Sequence, residues 1–270
     1  MLKRFGFFGM AAFAALAVFI GGVARAGANV IPDIKSRGTL NVGVKADVLA
    51  FGYKNPQTNQ FEGYEIDIAH EIAKRLLGDP NKINFTIVTA KTRQAMLDSG
   101  ELDVITATFT ITDARKKVVD FSPPYYTSGI ALLVLRDSGI KGLKDLNGKT
   151  IGFIKGADTA QRLADRAKDL GVTFDAAAFE SYPEILAALE AGRVQAFSTD
   201  GSILRFYEMQ DPKTVILPDR YSNEDYGAAT KKGSDDLRDF VAGVITDMQK
   251  SGALKKLQQK WGIYRENQAH

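Results

Sequence analysis

Apolar positions recur along the chain with two periods, and each period assigns a segment. In TLNVGVK (39–45) apolar and polar residues alternate, which predicts a strand with one buried face. In YEIDIAHEIAKRLLG the residues Ile68, Ala69, Ile72, Ala73 and Leu76 fall three and four apart, which predicts a helix closed by Gly78. INFTIV (83–88) reads as a strand, TRQAMLDSG (92–100) as a short helix and LDVITATF (102–109) as a strand. A second series begins with the strand TIGFI (150–154) and a helix over 159–170. It continues with a helix at PEILAALEAG, the strand VQAFS and the helix SILRFYEMQ. The last helical pattern runs from Asp235 to Trp261 with no strand after it. Such alternation of strands and helices predicts mostly parallel sheets flanked by helices, an α/β architecture.

The two series share a register. LDSGELDVITAT (97–108) and LEAGRVQAFSTD (189–200) both read Leu, acid, small residue, Gly, then an apolar strand ending in hydroxyls. This predicts two similar lobes, not one continuous sheet, and the overlay sets Thr108 against Asp200. Both would then lie at the carboxyl edges of their sheets, where open α/β sheets bind ligands. The first lobe is expected over 27–130, completed by 225–270, and the second over 131–224. The chain passes between them near TSGIALLVLRD (127–137) and returns within ILPDRYSNEDYGAATKK (216–232), and two such crossings make a hinge.

The N-terminus has a different pattern. Lys3 and Arg4 precede an apolar run from Phe5 to Gly22, and the stretch ARA (24–26) supplies, in Ala24 and Ala26, the small residues of a cleavage site. Residues 1–26 are read as a cleaved signal peptide, the alternative being an N-terminal anchor. Their removal takes Lys3, Arg4 and Arg25 and no acid, so 35 cations against 32 acids become 32 against 32. A neutral mature chain argues against a nucleic-acid partner. The absence of cysteine excludes disulfides, thiolate metal sites and a lipid-modified N-terminal Cys. With only His70 and His270, no metal site, cofactor or catalytic group is expected. The chain is expected free in the periplasm, as a monomer.

The chemistry concentrates in ATFTITDARKK (107–117). Thr106, Thr108, Thr110 and Thr112 alternate, and Arg115 follows in what reads as the first turn of a helix capped by Thr112. A cation there faces the positive end of the helix dipole. An anion docked on Arg115, on the Thr108 and Thr110 hydroxyls and on free backbone N–H groups would remove the conflict. The competing account is a surface Arg extended into water. Asp200, between a strand and a helix, is either a helix cap or the counter-charge of a ligand ammonium. Lys45 and Arg93 border strand ends near the same edge, and each alone reads as a solvated cation.

Along most of its length, from about Ile34 to Ile263, the chain resembles the polar amino-acid-binding proteins of ABC importers (solute-binding protein family 3). The resemblance rests on FEGYEIDIAHEIAKRL, LDVITATFTITDARKKVVDFSPPYYTSGIALLV, LKDLNGKTIG, AFSTDGSIL and YGAATKKG, in that order. It implies a two-lobed periplasmic binding protein-like (type II) fold that closes on its ligand and delivers it to an inner-membrane permease. The glutamate/aspartate-binding branch is the most similar, because it places basic residues at Lys45 and Arg93. By position, Arg115, Thr110 and Thr159 would hold the ligand α-carboxylate, Thr108 the α-amino end, and Asp200 the ammonium. Lys45 and Arg93 would hold a side-chain carboxylate, with Tyr182 lining the pocket. Three cations against one carboxylate predict acidic over neutral over basic ligands. The loop GADT departs from the pattern, since Asp158, if it points inward, would repel a dicarboxylate. The alternatives are an exported cyclohexadienyl (prephenate/arogenate) dehydratase on the same scaffold, with Asp158 as its candidate acid, and a sensory or adhesive amino-acid binder.

Overall fold

The computed structural model describes residues 29–264, so the expected signal peptide lies outside the described residues. The chain starts with α1 (Ile31–Arg37) and β1 (Leu40–Val44), then a small sheet of β2 (Asp47–Val48), β3 (Gly52–Lys54) and β4 (Phe61–Glu62). There follow α2 (Tyr64–Leu77), β5 (Ile83–Ile87), α3 (Arg93–Asp98), β6 (Val104–Thr106), the single turn α4 (Asp113–Lys116) and β7 (Val119–Phe121). β8 (Tyr126–Ser128) leads to β9 (Ile130–Leu135), β10 (Thr150–Ile154), α5 (Thr159–Asp169) and β11 (Asp175–Phe179). Next come α6 (Tyr182–Glu190), β12 (Ala196–Asp200), α7 (Gly201–Gln210) and β13 (Thr214–Ile216). β14 (Glu224–Tyr226) leads back to β15 (Ala229–Lys231), α8 (Asp235–Lys250) and α9 (Ala253–Lys260).

These elements form two five-stranded sheets, ordered β5-β1-β6-β15-β7 and β11-β10-β12-β9-β13. The first three strands of each are parallel, and the fourth, β15 or β9, runs antiparallel to both its neighbours, a single reversal in sheets that are otherwise parallel as alternation predicts. The reason is visible in the connections. β9 and β15 enter their sheets straight from β8 and β14, with no crossover helix, and parallel pairing needs such a crossover. β6 and β12 hold the same third position in their sheets, as the repeated register implies.

The two crossings between lobes pair with each other. β8 and β14 run antiparallel, and Thr127 Oγ1 donates to Asp225 Oδ1 at 2.5 Å. The chains are so close at Gly129 that a Cβ would lie 2.5 Å from the Ser222 carbonyl oxygen. Below the first lobe's cleft face, Phe51, Tyr64, Tyr125, Tyr126 and Tyr226 pack edge to face, so Phe51, Tyr125 and Tyr126 belong to the core. α8 and α9 pack on α2 of the first lobe. The expected single helical pattern from Asp235 to Trp261 breaks at Gly252, whose φ of 72° turns the chain between α8 and α9.

Candidate functional site

The strand expected over 102–109 ends at Thr106, and the site begins where it ends. Three groups pull the chain off the sheet. Thr108 adopts φ 44°, uncommon for a β-branched residue, and its N–H donates to Glu65 Oε1 at 2.6 Å. Arg93 Nη1 donates to the carbonyls of Ala107 at 2.6 Å and Thr108 at 3.3 Å. Beyond them Thr110 bridges to Tyr226 of the hinge. The alternating hydroxyls therefore do not share one strand edge. Thr106 lies in the sheet, Thr108 and Thr110 enter the cleft, and Thr112 caps α4 by accepting from Arg115 N at 3.2 Å.

Because α4 is only four residues long, Arg115 is as near its end as its start, and the expected conflict with a helix dipole disappears. Arg115 is placed by other contacts. Nη1 donates to the Thr110 carbonyl at 2.9 Å, and the guanidinium lies 4.9 Å from the Phe109 ring centre. Arg93 lies 3.9 Å from the same ring, so one buried aromatic carries two cations. Burial, and then the neighbouring Arg115, bring Arg93 down to about 10. Lys45 is 3% exposed at the end of β1, and its Nζ meets Asp47 Oδ1 at 3.3 Å. Burial pulls its pKa down, with Asp47 opposing.

The second lobe supplies starts of helices. Thr159 opens α5, and Tyr182 opens α6 behind Ser181, whose hydroxyl accepts from Glu184 N. The Tyr182 ring stands 5.4 Å from Lys45 Nζ. Asp200 ends β12 at the cap position of α7, yet its side chain makes no cap hydrogen bond. It accepts instead from the Tyr226 hydroxyl, and burial, followed by Glu224, pushes it up to about 7. Asp158 points inward: Oδ1 meets Arg115 Nη2 across the cleft at 3.0 Å.

Lys45, Arg93, Thr108, Thr110, Arg115, Thr159, Tyr182 and Asp200 thus line one cavity, together with Asp158 and Thr199. Its free volume is about 20 Å³, room for roughly one water. The lobes touch at Tyr207, whose hydroxyl donates to the Asp47 carbonyl at 2.9 Å, and at Gly156, which lies against the Lys91 backbone. Sequence reasoning missed Asp47, Phe109, Tyr226 and above all Glu65. Glu65 is fully buried beneath Thr108, accepts from the Tyr125 hydroxyl at 2.5 Å, and is pushed up to about 7 by burial. Its signal was available, since Glu65 sits three, four and seven residues before Ile68, Ala69 and Ile72, on the buried stripe of its helix.

Among the described residues no helix is long and apolar enough to cross a membrane, and no group of three His, Asp or Glu could hold a metal ion. Two α/β lobes, a paired hinge and a polar cleft fed from both sheets define a two-lobed binding protein. Residues 40–263 match the bacterial extracellular solute-binding proteins, family 3, and the chain belongs to that family. It is 46% identical to a glutamine-binding protein of Geobacillus stearothermophilus, over 77% of this chain and 78% of that protein. It is 38% identical to the ABC transporter glutamine-binding protein GlnH of Bacillus subtilis, over 84% and 82%. A solved ancestral amino acid-binding protein, a precursor of cyclohexadienyl dehydratase, superposes with a TM-score of 0.77 at 32% identity, covering 86% of this chain and 99% of its own.

Proposed function

We propose that this protein binds a free amino acid with an uncharged polar side chain, of the glutamine class, by closure of its lobes and delivers it from the periplasm to an ABC permease. The observation that carries this reading is that two of the three cations of the cleft already have a protein carboxylate beside them. Lys45 has Asp47 and Arg115 has Asp158, while Arg93 is held by the Ala107 and Thr108 carbonyls and makes no ion pair among the described residues. The count of three cations against one carboxylate, on which an acidic ligand was expected, omits Asp47, Glu65 and Asp158. A zwitterion then adds one carboxylate, taken by Arg115 with Thr110 and Thr159, and one ammonium, taken by Asp200 with Thr108. It adds no second charge that would need an uncommitted buried partner. Similarity to two glutamine-binding proteins supports the same class.

Glutamate or aspartate is the second reading, favoured by the buried heads of Lys45 and Arg93, which both line the cavity. A dehydratase would require Asp158 as a proton donor, and that carboxylate is engaged by Arg115. Titration of purified protein with each common amino acid, read by calorimetry and thermal shift, tests the proposal. Glutamine should bind at least ~10-fold tighter than glutamate, the cost of about 1.4 kcal/mol for one poorly matched charge. Glutamate or aspartate binding tighter than glutamine would return the acidic reading.

A further inference from the structure

Of the two acids that line the cavity, Asp158 is the one to which the proposed function gives no task toward the ligand. It precedes α5, where an aspartate ordinarily caps the helix with its own carboxylate, yet its side chain makes no such bond. Oδ1 instead crosses from the second lobe to Arg115 Nη2 at 3.0 Å, while Arg115 Nη1 stays on the Thr110 carbonyl. A second cation stands one turn along the same helix. Arg162 Nη1 lies 3.9 Å from Asp158 Oδ2 and 2.8 Å from Glu224 Oε2. The Asp158 carboxylate therefore has two cationic neighbours, one across the cleft and one on its own helix.

We propose that Asp158 is an internal occupant of the carboxylate site: it latches the lobes through Arg115, and an incoming amino acid takes Arg115 from it while Asp158 turns to Arg162. This rests on the reading that Arg115 receives the ligand α-carboxylate, and not on which side chain the ligand carries. The pair is partly exposed, with side-chain exposures of 14% for Arg115 and 35% for Asp158, so its strength is that of an ordinary surface ion pair. It shifts the lobes toward closure without locking them. Because ligand and Asp158 compete for one guanidinium, the latch also lowers affinity for every amino acid the protein binds.

The test is Asp158→Asn in the mature chain, with Asp158→Ala as a second variant should the amide find new partners. Small-angle scattering without amino acid should give a larger radius of gyration for both variants than for wild type. Calorimetry should give binding ~2- to 5-fold tighter, by a similar factor for glutamine and for any other amino acid that binds. An unchanged radius, or affinity equal to or weaker than wild type, overturns the latch. The rank order of amino acids on the wild-type protein decides the glutamine reading separately, so either proposal can fail alone.

Discussion

The charged side chains that line the cavity are cations from the first lobe and acids from the second, and the two lobes position them by different means. The first lobe contributes Arg93 and Arg115, seated by packing on Phe109 and by hydrogen bonds to carbonyls of a chain that has left its sheet, and Lys45, held by Asp47. The second contributes Asp158 and Asp200, each at the junction of a loop or strand with a helix, and neither spent on capping that helix. Deep packing fixes the cationic side, whereas closure brings in the acidic side. The lesson is that an amino acid, which is itself a dipole, meets a field already oriented for it, and that closure is favoured by the same attraction. Variants that alter one side only should therefore separate capture from closure.

The largest break should come from the acidic side. On the proposed function Asp200 receives the ligand ammonium, so Asp200→Ala strands that charge in a buried site. Binding should weaken by about 3 kcal/mol or more, read by calorimetry. Unchanged affinity would remove Asp200 from the ligand. Gly156→Ala should rank next, and it obstructs closure. A Cβ there would lie 2.7 Å from the Lys91 backbone of the other lobe, and its φ of 83° disfavours any L side chain. Obstructing that approach should cost ~1–3 kcal/mol of amino-acid binding, as overpacking does, with scattering showing no compaction on ligand addition. Full compaction in this variant would mean that the lobes close without the contact.

How much of this contrast was legible in the sequence follows the same division. The second lobe could be read well: the register of LEAGRVQAFSTD placed Asp200, and α5 and α7 follow their apolar patterns. The first lobe could be read less well, because its site depends on tertiary override. Alternation carried the strand to residue 109, but Glu65 and Arg93 take the backbone of 107–108 away from the sheet, and neither lies near that segment in sequence. The short strands β2, β3 and β4 gave no periodic signal, so Asp47 was unseen beside Lys45. Glu65 was the readable clue left unused, an acid on an otherwise apolar helical face.

The smallest expected effect discriminates most finely between the two buried acids. Asp200 and Glu65 are both pushed up to about 7 by burial, but only Asp200 lines the cleft. An ammonium ligand requires ionised Asp200, so lowering the pH from 8 to 6 should weaken binding by roughly tenfold, about 1.4 kcal/mol. Stability without amino acid should run the other way. Both groups keep their proton in the folded chain at pH values where the unfolded chain has lost it. Folding then takes up protons, and stability falls as pH rises from about 4 toward 7. Glu65→Gln should flatten part of that stability profile while the pH dependence of binding persists, whereas Asp200→Asn should abolish the pH dependence of whatever binding remains. If Glu65→Gln removed the binding profile instead, the titrating group would be the acid beneath Thr108, and the acidic contribution to capture would belong to the first lobe as well as the second.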